Sequence, residues 1–313
     1  MMRVLVTGSS GFIGAHCLCR LLSEDCEIHA VNRAGQGENT ARVTWHAGDL
    51  RETAQAVALI AKIRPTHLLH CAWVATPRVY GHSPENADWL QSSTALAFAF
   101  GAHGGVRFVG IGSSAEYDPG ELPCVEDETP IRPAMIYGKC KAAFWLAVQA
   151  AAQHHGFSAA WGRVFLPYGP GDPAQRLVPA VLASLRAGKP VQTTHGAQKR
   201  DFIYAPDAAD LLVRLLLSPE TGAFNVGTGH ATTIRSVVEY LASRCGRPEL
   251  LQFGAIQPPA GEPPVLVADT TKVHDRLGWS APTSIYKGLD RVLNSTSPDM
   301  ARQTSQGHDH TAS

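Results

Sequence analysis

Short apolar runs alternate with helix-like stretches through the first half of the chain. The apolar runs are typical of strands buried on both faces, and they cover residues 4–6, 28–31, 43–45, 67–71, 107–111 and 158–164. Helical stretches lie between them, at residues 12–22, 53–63, 87–102 and 133–155. Pro133 suits the first turn of the last of these helices. This alternation predicts an α/β fold with a doubly wound parallel sheet.

The pattern changes after Leu166. A turn-rich cluster covers residues 167–171, and shorter elements follow it. We predict helices over 177–187, 206–217, 234–245, 271–277 and 285–293, a loop or short strand over 190–201, and strands near 224–227 and 265–268. The chain is therefore divided into a main domain over 1–166 and a smaller lobe over 167–293 that returns segments to it. The polar tail, 294–313, is expected to be disordered.

Composition argues against several kinds of partner. Equal numbers of basic and acidic residues, 27 each, give no electrostatic support for binding nucleic acid or an anionic membrane. No apolar run is long enough to cross a bilayer, and the N-terminus begins with a strand rather than a signal peptide. Seven cysteines without a CxxC pair indicate reduced thiols in a cytoplasmic protein, and we predict no metal site.

A glycine-rich turn joins the first strand to the first helix. Gly8 allows a tight turn, Gly11 allows a ligand to approach the backbone, and Gly14 allows close packing of helix and strand. The free N–H groups at the helix start suit a pyrophosphate. The first gap between glycines is one residue longer than in the common dinucleotide fingerprint. An ordinary glycine-rich turn is the alternative, but the position after strand one favours a nucleotide site.

Tyr137 and Lys141 form the second candidate site. They are four residues apart on a predicted helix and therefore share one face. A neighbouring ammonium is expected to lower the pKa of the tyrosine and make it an acid or base for an alcohol–ketone pair. Ser113 follows the fifth strand, where its hydroxyl could bind the same substrate oxygen. A surface helix pair is the alternative for Tyr137 and Lys141 alone.

The motifs together resemble the extended short-chain dehydrogenase/reductase family, in its nucleotide-sugar epimerase/dehydratase/reductase group. Further matches are RDFIY at 200–204, NVGTG at 225–229 and LGW at 277–279, and the resemblance covers about residues 3 to 293. It implies a Rossmann dinucleotide-binding domain over 1–166 and a mainly substrate-binding lobe after it. It also implies a homodimer that packs the helices at 87–102 and 133–155 of each subunit.

The resemblance also assigns roles to individual residues. Ser113, Tyr137 and Lys141 would be the catalytic set. Cofactor contacts would come from Gly8, Gly11, Phe12, Ile13, Gly14, Asp49, Leu50, Ala72, Tyr137 and Lys141. Substrate contacts would come from Ser113, Ser114 and Arg200. Ser114 is an alternative to Ser113, because only one of the adjacent hydroxyls can point inward. A surface salt bridge to Asp207 or Asp210 is the alternative for Arg200.

Several positions depart from the family pattern. Asn32 and Arg33, both assigned to the cofactor site, stand where an acid would bind a ribose hydroxyl. No carboxylate at position 32 would repel a 2′-phosphate and Arg33 could bind it, so we predict a preference for NADPH; an Arg33 side chain that points to solvent is the alternative. Leu166 replaces the usual asparagine, and the loop at 257–262 lacks an arginine that clamps a diphosphate. Arg163, Arg176 and Arg276 are candidates to replace these contacts. Glu116 is displaced by one residue from the dehydratase acid, which argues against dehydration.

These features predict an NADPH-dependent reductase of a nucleotide-linked keto sugar, such as a 4-keto-6-deoxyhexose. Hydride would pass to the carbonyl carbon while Tyr137 donates the proton. The alternative is an NAD-dependent nucleotide-sugar epimerase of the 4-epimerase type, so NAD remains a possible cofactor. A non-catalytic nucleotide sensor is a third class, disfavoured because the catalytic set is complete.

Overall fold

The structure, a computed structural model, describes residues 1–37, 41–77, 79–118, 120, 123–259 and 261–295. Thirteen strands occur in this part of the chain: β1 Arg3–Thr7, β2 Glu27–Asn32, β3 Val43–Ala47, β4 His67–His70, β5 Arg107–Ser113, β6 Ser158–Val164, β7 Leu166–Tyr168, β8 Val191–Thr193, β9 Lys199–Tyr204, β10 Gly222–Val226, β11 Ala231–Thr233, β12 Leu251–Phe253 and β13 Val265–Leu266. The α-helices of the same ranges are α1 Phe12–Leu21, α2 Thr53–Ile63, α3 Glu85–Ala102, α4 Ile136–His155, α5 Leu177–Arg186, α6 Ala205–Leu217, α7 Ile234–Arg244, α8 Thr271–Leu277 and α9 Ile285–Ser295.

The main sheet has seven strands in the order β10-β6-β5-β4-β1-β2-β3, and every neighbouring pair is parallel. The predicted α/β fold with a doubly wound parallel sheet is therefore confirmed. Strand β1 shows why its apolar run is continuous: Val4 and Val6 belong to one buried cluster and Leu5 to the other. Helices α1 and α6 cover the first face, and α2, α3 and α4 cover the second.

The second half of the chain forms a smaller lobe and also completes the main sheet. Strands β7, β9, β11 and β13 form a mixed sheet, and β8 pairs with β12. Helices α5, α7 and α9 bury their apolar faces against this lobe. Helix α6 packs on α1, and β10 pairs with β6 at the edge of the main sheet. Helix α6 and strand β10 therefore belong to an apolar cluster of the main sheet, and the rest of the lobe packs around a separate apolar cluster.

Element boundaries differ from the sequence prediction at several places, and the short strands β7, β11 and β12 were not predicted. Helix α3 begins at Glu85 rather than at 87, and α4 begins at Ile136 rather than at Pro133. Met135 has an extended backbone, which delays the start of α4. The polar stretch 190–201 contains strand β8 and the first three residues of β9, which continues to Tyr204. Helix α9 continues through Ser295, two residues into the predicted tail, and residues 296–313 lie outside the described part. No described helix is long and apolar enough to span a membrane.

Candidate active site

The glycine turn after β1 is packed so closely that side chains are excluded from it. Gly8 has a φ of +64°, and a Cβ there would lie 2.6 Å from the backbone nitrogen of Ala72. A Cβ on Gly14 would collide with the carbonyl oxygen of Gly8. The turn therefore needs glycine for both its conformation and its packing. Helix α1 starts directly behind it, with Gly11 as an N-cap that has no side-chain capping bond. Its first N–H groups face the turn, an arrangement that suits a pyrophosphate.

The hydroxyl of Thr7 joins the ends of β1 and β4. It accepts hydrogen bonds from the backbone N–H groups of Cys71, at 3.1 Å, and Ala72, at 3.2 Å. The same oxygen lies 3.0 Å from Nδ1 of the buried His70. This places Ala72 beside Gly8 at the carboxyl edge of the sheet, where parallel α/β sheets bind ligands.

The predicted adenosine end lies beyond β2 and β3. Both polar groups of the Asn32 amide are used in the turn: Nδ2 donates to the Gln36 carbonyl at 2.8 Å and Oδ1 accepts from the Gly35 N–H at 2.7 Å. The Arg33 side chain is exposed and lies close enough to help lower the pKa of Asp49.

Asp49 and Leu50 form the other wall of this end. The carboxylate of Asp49 is paired with the Arg51 guanidinium at 2.6 Å, and this hydrogen bond is the main reason that its pKa lies below the ordinary value. Leu50 is buried. The contact between Asp49 and Arg51 was not predicted from the sequence, although the two opposite charges lie only two residues apart.

Ser113 ends β5 and caps a short 3₁₀ turn over Ser114–Glu116. Its Oγ accepts from the Ala115 N–H at 3.2 Å, and its own N–H donates to Oε1 of Glu116 at 2.8 Å. This reciprocal pair is a capping box, and it fixes the backbone of Ser113. Ser114 is buried, whereas Ser113 is half-buried.

Lys141 is buried in α4, one turn after Tyr137. Its Nζ donates to the Ile111 carbonyl at 2.7 Å, and it lies 4.1 Å from the centroid of the Trp73 ring and 5.9 Å from that of Tyr137. Burial lowers the pKa of Lys141 to about 7, partly opposed by the charge of Glu116.

The expected low pKa of Tyr137 is wrong for this arrangement. Burial raises the pKa of the phenol above its ordinary value, and a hydrogen bond with the Ser113 side chain only partly opposes this. The physical reason is that the Lys141 ammonium points to Ile111 and Trp73, while the phenol is buried in an edge-to-face contact with Tyr80, with ring centroids 4.8 Å apart. The structure does bring Ser113, Tyr137 and Lys141 together.

A buried ion pair under Ser113 was missed by the sequence reasoning. The Glu116 carboxylate is fully buried and accepts from Nε of Arg163 at 2.9 Å and from the Trp161 indole at 3.0 Å. The spacing Ser-x-x-Glu from Ser113 is a capping-box signature that could have placed this acid. These donors and the Ser113 N–H hold the oxygens of Glu116, and the carboxylate charge still acts on the nearby Lys141.

Arg200 is buried in the lobe and paired there. Its Nη2 donates to Glu262 at 2.7 Å, and the other oxygen of Glu262 accepts from Gln198 at 2.8 Å. The alternative partners are excluded, since Asp207 binds Thr283 and Asp210 binds Arg20, Arg214 and Trp279. Beside the Arg200–Glu262 pair is a cavity of about 230 Å³, and it is lined by His195, Ala197, Gln198, Pro258, Pro259, Gly261, Glu262 and Pro264.

The three arginines that could replace the missing family contacts have different environments. The guanidinium of Arg163 forms a buried ion pair with Glu116 and is therefore not available to a substrate. Arg276 is exposed on α8. Arg176 is the N-cap residue of α5, and its guanidinium is paired with Asp172 at 3.3 Å and lies 5.6 Å over the Phe12 ring. Its charge also partly opposes the rise in the pKa of Tyr137, so it acts on both candidate regions. Leu166, in the place of the usual asparagine, packs with the apolar cluster of the lobe.

Comparisons with known proteins agree with this geometry. A family model described as "NAD dependent epimerase/dehydratase family" matches residues 4–227. The UDP-glucose 4-epimerase of Mycolicibacterium smegmatis is 26% identical over 310 residues, which cover 93% of this chain and 97% of that protein. The dTDP-6-deoxy-L-talose 4-dehydrogenase (NAD(P)(+)) of Kitasatospora kifunensis is 27% identical over 314 residues, with coverage of 95% and 96%.

Solved structures give the same result. The crystal structure of Thermus thermophilus UDP-glucose 4-epimerase in complex with NAD is 26% identical to this chain and has a TM-score of 0.83. The match covers 94% of this chain and 98% of that chain. The fold and the class of nucleotide-sugar epimerases, dehydratases and dehydrogenases are therefore shared over nearly the whole length.

Proposed function

Because the chain belongs to the NAD dependent epimerase/dehydratase family, we propose that it interconverts nucleotide-linked sugars that differ at one ring carbon, with NAD as the cofactor. The relatives named as UDP-glucose 4-epimerases support this choice over the keto-sugar reductase expected from the sequence. A 4-epimerase is an oxidoreductase in each half of its cycle, so the proposal keeps the hydride chemistry that the site residues indicate.

The residues present fit a dinucleotide. The cradle formed by Gly8, Gly14 and Ala72 admits backbone but no Cβ, and the start of α1 directs N–H groups at it. Bound NAD would supply a hydride acceptor and donor at the sugar carbon. On this proposal Gly11, Phe12, Ile13 and Gly14 hold the pyrophosphate, and Asp49 and Leu50 flank the adenine.

Proton transfer to and from the sugar oxygen would be carried out by residues of the chain itself. In the reduction half, the Tyr137 phenol donates its proton to the oxygen of the forming alcohol, and Ser113 donates a hydrogen bond to the same oxygen. In the oxidation half, the same phenol oxygen takes the proton back. The charge of Lys141 stabilises the phenolate that remains after donation. Its low pKa of about 7 means that this support weakens as the pH rises above neutrality.

One observation carries the proposal: Ser113, Tyr137 and Lys141 converge at the same sheet edge as the glycine cradle. Its test is an assay with purified protein, a nucleotide sugar and less than one equivalent of NAD per sugar. Conversion to the C4 epimer without added reductant supports the proposal. Absence of conversion across UDP- and dTDP-linked hexoses, with folded protein and bound NAD, contradicts it.

A second function, an NADPH-dependent reductase of a nucleotide-linked keto sugar, is favoured by the adenosine end of the site. Asn32 carries no charge that would repel a phosphate, and both polar groups of its amide are bonded within the turn. The neighbouring Arg33 side chain is exposed, on the same side as Asp49. A guanidinium in this place suits a 2′-phosphate. The Kitasatospora relative, whose name includes NAD(P)(+), is as similar to this chain as the epimerases are.

Substrate anchoring is proposed for two arginines. Arg200 would meet the substrate's diphosphate only by leaving its ion pair with Glu262. Arg176 would supply a second positive charge between the glycine turn and Tyr137. Loss of affinity for the nucleotide sugar in Arg176→Ala, measured by calorimetry, tests this assignment.

A cytoplasmic homodimer is the assembly we propose. Exposed Phe98 and Leu146 lie on α3 and α4, the helices expected to pair between subunits, so pairing of these helices would cover apolar surface. All seven cysteines are free thiols, as expected in a reducing compartment. Light scattering during size-exclusion chromatography tests the dimer.

A further inference from the structure

The ammonium of Lys141 lies among aromatic rings rather than beside a carboxylate. The face of Trp73 is closest, at 4.1 Å, and the rings of Tyr137 and Trp161 are each 5.9 Å away. Lys141 is only 2% exposed, so water stabilises this charge little. A desolvated cation over an indole face is held by the negative face of the ring, an interaction that is strongest for tryptophan.

The Trp73 ring is fixed in this position. Its Nε1 donates to Oδ1 of Asn86 at 2.8 Å, and Phe144 stacks on it with centroids 5.8 Å apart. Asn86 is fully buried, and its Nδ2 donates to the carbonyls of Tyr80, at 2.7 Å, and Ser83, at 2.8 Å. The indole therefore cannot rotate away without breaking its hydrogen bond and leaving the Oδ1 of the fully buried Asn86 without this donor.

The same segment also contacts the proposed acid. Tyr80, whose carbonyl accepts from Asn86, packs its ring against Tyr137 in an edge-to-face contact. The Tyr137 N–H donates to the carbonyl of Gly81 at 3.2 Å. One segment between β4 and α3 thus holds both Tyr137 and Lys141 from outside α4.

We propose that Trp73 is a positioning residue for the hydride-transfer reaction: its indole face, oriented by Asn86, holds the Lys141 ammonium charged and in place beside Tyr137. The catalytic use of this charge rests on the proposed function, but the contact between Trp73 and Lys141 does not.

Three other titratable groups near Lys141 bear on its protonation. The negative charges of Glu116 and of a Cys71 thiolate would favour the ammonium. His70 is buried nearby, and burial together with the Lys141 charge lowers its pKa to about 3, so it stays neutral. Because the pKa of Lys141 is about 7, its charged and neutral forms are close in free energy near neutral pH. A modest loss of stabilisation of the ammonium therefore lowers the charged fraction of Lys141.

The test compares Trp73→Leu, which removes the π face, with Trp73→Phe, which keeps it. Trp89→Leu is the matched control, because Trp89 stacks on Trp73, with centroids 6.2 Å apart, in the same aromatic cluster. NMR titration of the full chain, with the Lys141 ¹³Cε signal identified by its loss in Lys141→Met, reads the ammonium directly without substrate. We expect Trp73→Leu to lower the apparent pKa of Lys141 by about one unit. Trp73→Phe and Trp89→Leu should shift it much less.

The pH profile of turnover provides the second readout. In Trp73→Leu the alkaline limb should move to lower pH by the same amount, with activity partly recovered at lower pH, and Trp73→Phe should restore most of the wild-type profile. If Trp73→Leu does not fold, fluorinated tryptophan, which weakens the ring face, replaces it: the Lys141 titration should move down in the wild type and less in Trp73→Phe.

The two proposals fail separately. An unchanged Lys141 titration in folded Trp73→Leu, or in the fluorinated wild type, overturns the role of Trp73 even in an active enzyme. A shifted titration in a protein without hydride-transfer activity overturns the proposed function and leaves the Trp73–Lys141 contact standing.

Discussion

Tyr137 is the residue on which the proposed chemistry depends most. Tyr137→Phe keeps the ring against Tyr80 and removes only the hydroxyl that would transfer the proton. Turnover should fall by about two to four orders of magnitude, the usual contribution of a positioned acid or base. NAD affinity and melting temperature should change little. Tyr80→Phe is the control, with turnover near that of the wild type. Near-normal turnover in Tyr137→Phe would remove this residue from the mechanism.

Lys141 should reduce stability near neutral pH, because its charge is buried. Its pKa of about 7 in the folded protein is far below the ordinary 10.5 of the unfolded chain. Between these values the unfolded state binds more protons, so stability rises with pH across this window. Lys141→Met removes the penalty. In urea titrations we expect this variant to be more stable than the wild type at about pH 6.5, with the gap narrowing toward about pH 9.5. A gap independent of pH would contradict the buried charge.

Arg33 decides between the two cofactors at the scale of one side chain. If its guanidinium binds a 2′-phosphate, Arg33→Ala should weaken NADPH binding by about tenfold or more and leave NADH binding nearly unchanged. Calorimetry with both cofactors measures this. Arg42→Ala, another exposed arginine, is the matched control. Equal losses for both cofactors, or a wild-type preference for NADH, would show that Arg33 points to solvent and would favour the NAD-dependent epimerase.

At the scale of elements, the close packing of the turn between β1 and α1 predicts how a substitution there affects NAD binding. A Cβ on Gly14 collides with the Gly8 carbonyl, so Gly14→Ala should open the turn and weaken NAD binding as well as stability. Gly188→Ala is the control: it has a φ of +63° and open space around it, so it should lose stability without losing NAD affinity. Equal NAD affinity in Gly14→Ala and the wild type would exclude the turn as the pyrophosphate site.

The main sheet could be predicted from the sequence because its strands are buried on both faces. An uninterrupted apolar run such as residues 4–6 has few other interpretations when helices alternate with it. Helix starts were less certain, since Pro133 fits either a first turn or an extended entry to α4. Strand β9 was uncertain for another reason: Arg200 and Asp201 are polar residues that the fold buries with partners elsewhere in the chain.

The candidate site was predictable in its backbone motifs but not in its supporting contacts. The glycine turn and the Tyr137–Lys141 spacing are local patterns. The Glu116–Arg163 pair joins residues 47 positions apart, and the contact between Trp73 and Lys141 spans more. Local periodicity carries no information on such pairs, because the fold alone brings them together. The pKa of Tyr137 was mispredicted for the same reason: burial among distant side chains outweighs its neighbour on the helix.

At the scale of the whole molecule, the proposed function requires the lobe and the main sheet to act on one substrate. The proposed cofactor residues lie in the loops at the edge of the main sheet and in the helices α1 and α4, whereas Arg176 and Arg200 belong to the second half of the chain. Because α6 and β10 build the lobe into the main core, the two regions are held at a fixed spacing. An epimerase needs this rigidity around the sugar's nucleotide, and enough room for the sugar to present both faces to one hydride carrier.

An epimerase of the proposed kind takes a hydride from a sugar carbon onto its bound cofactor and returns it to the same carbon. The most direct measurement follows deuterium placed on C4 of the nucleotide hexose during conversion by the protein with a trace of NAD in ordinary water. We predict that the C4 epimer keeps its deuterium on the same carbon, with no net cofactor consumption. Loss of deuterium to water, or product formation only as NADPH is consumed, would contradict the proposed epimerase function.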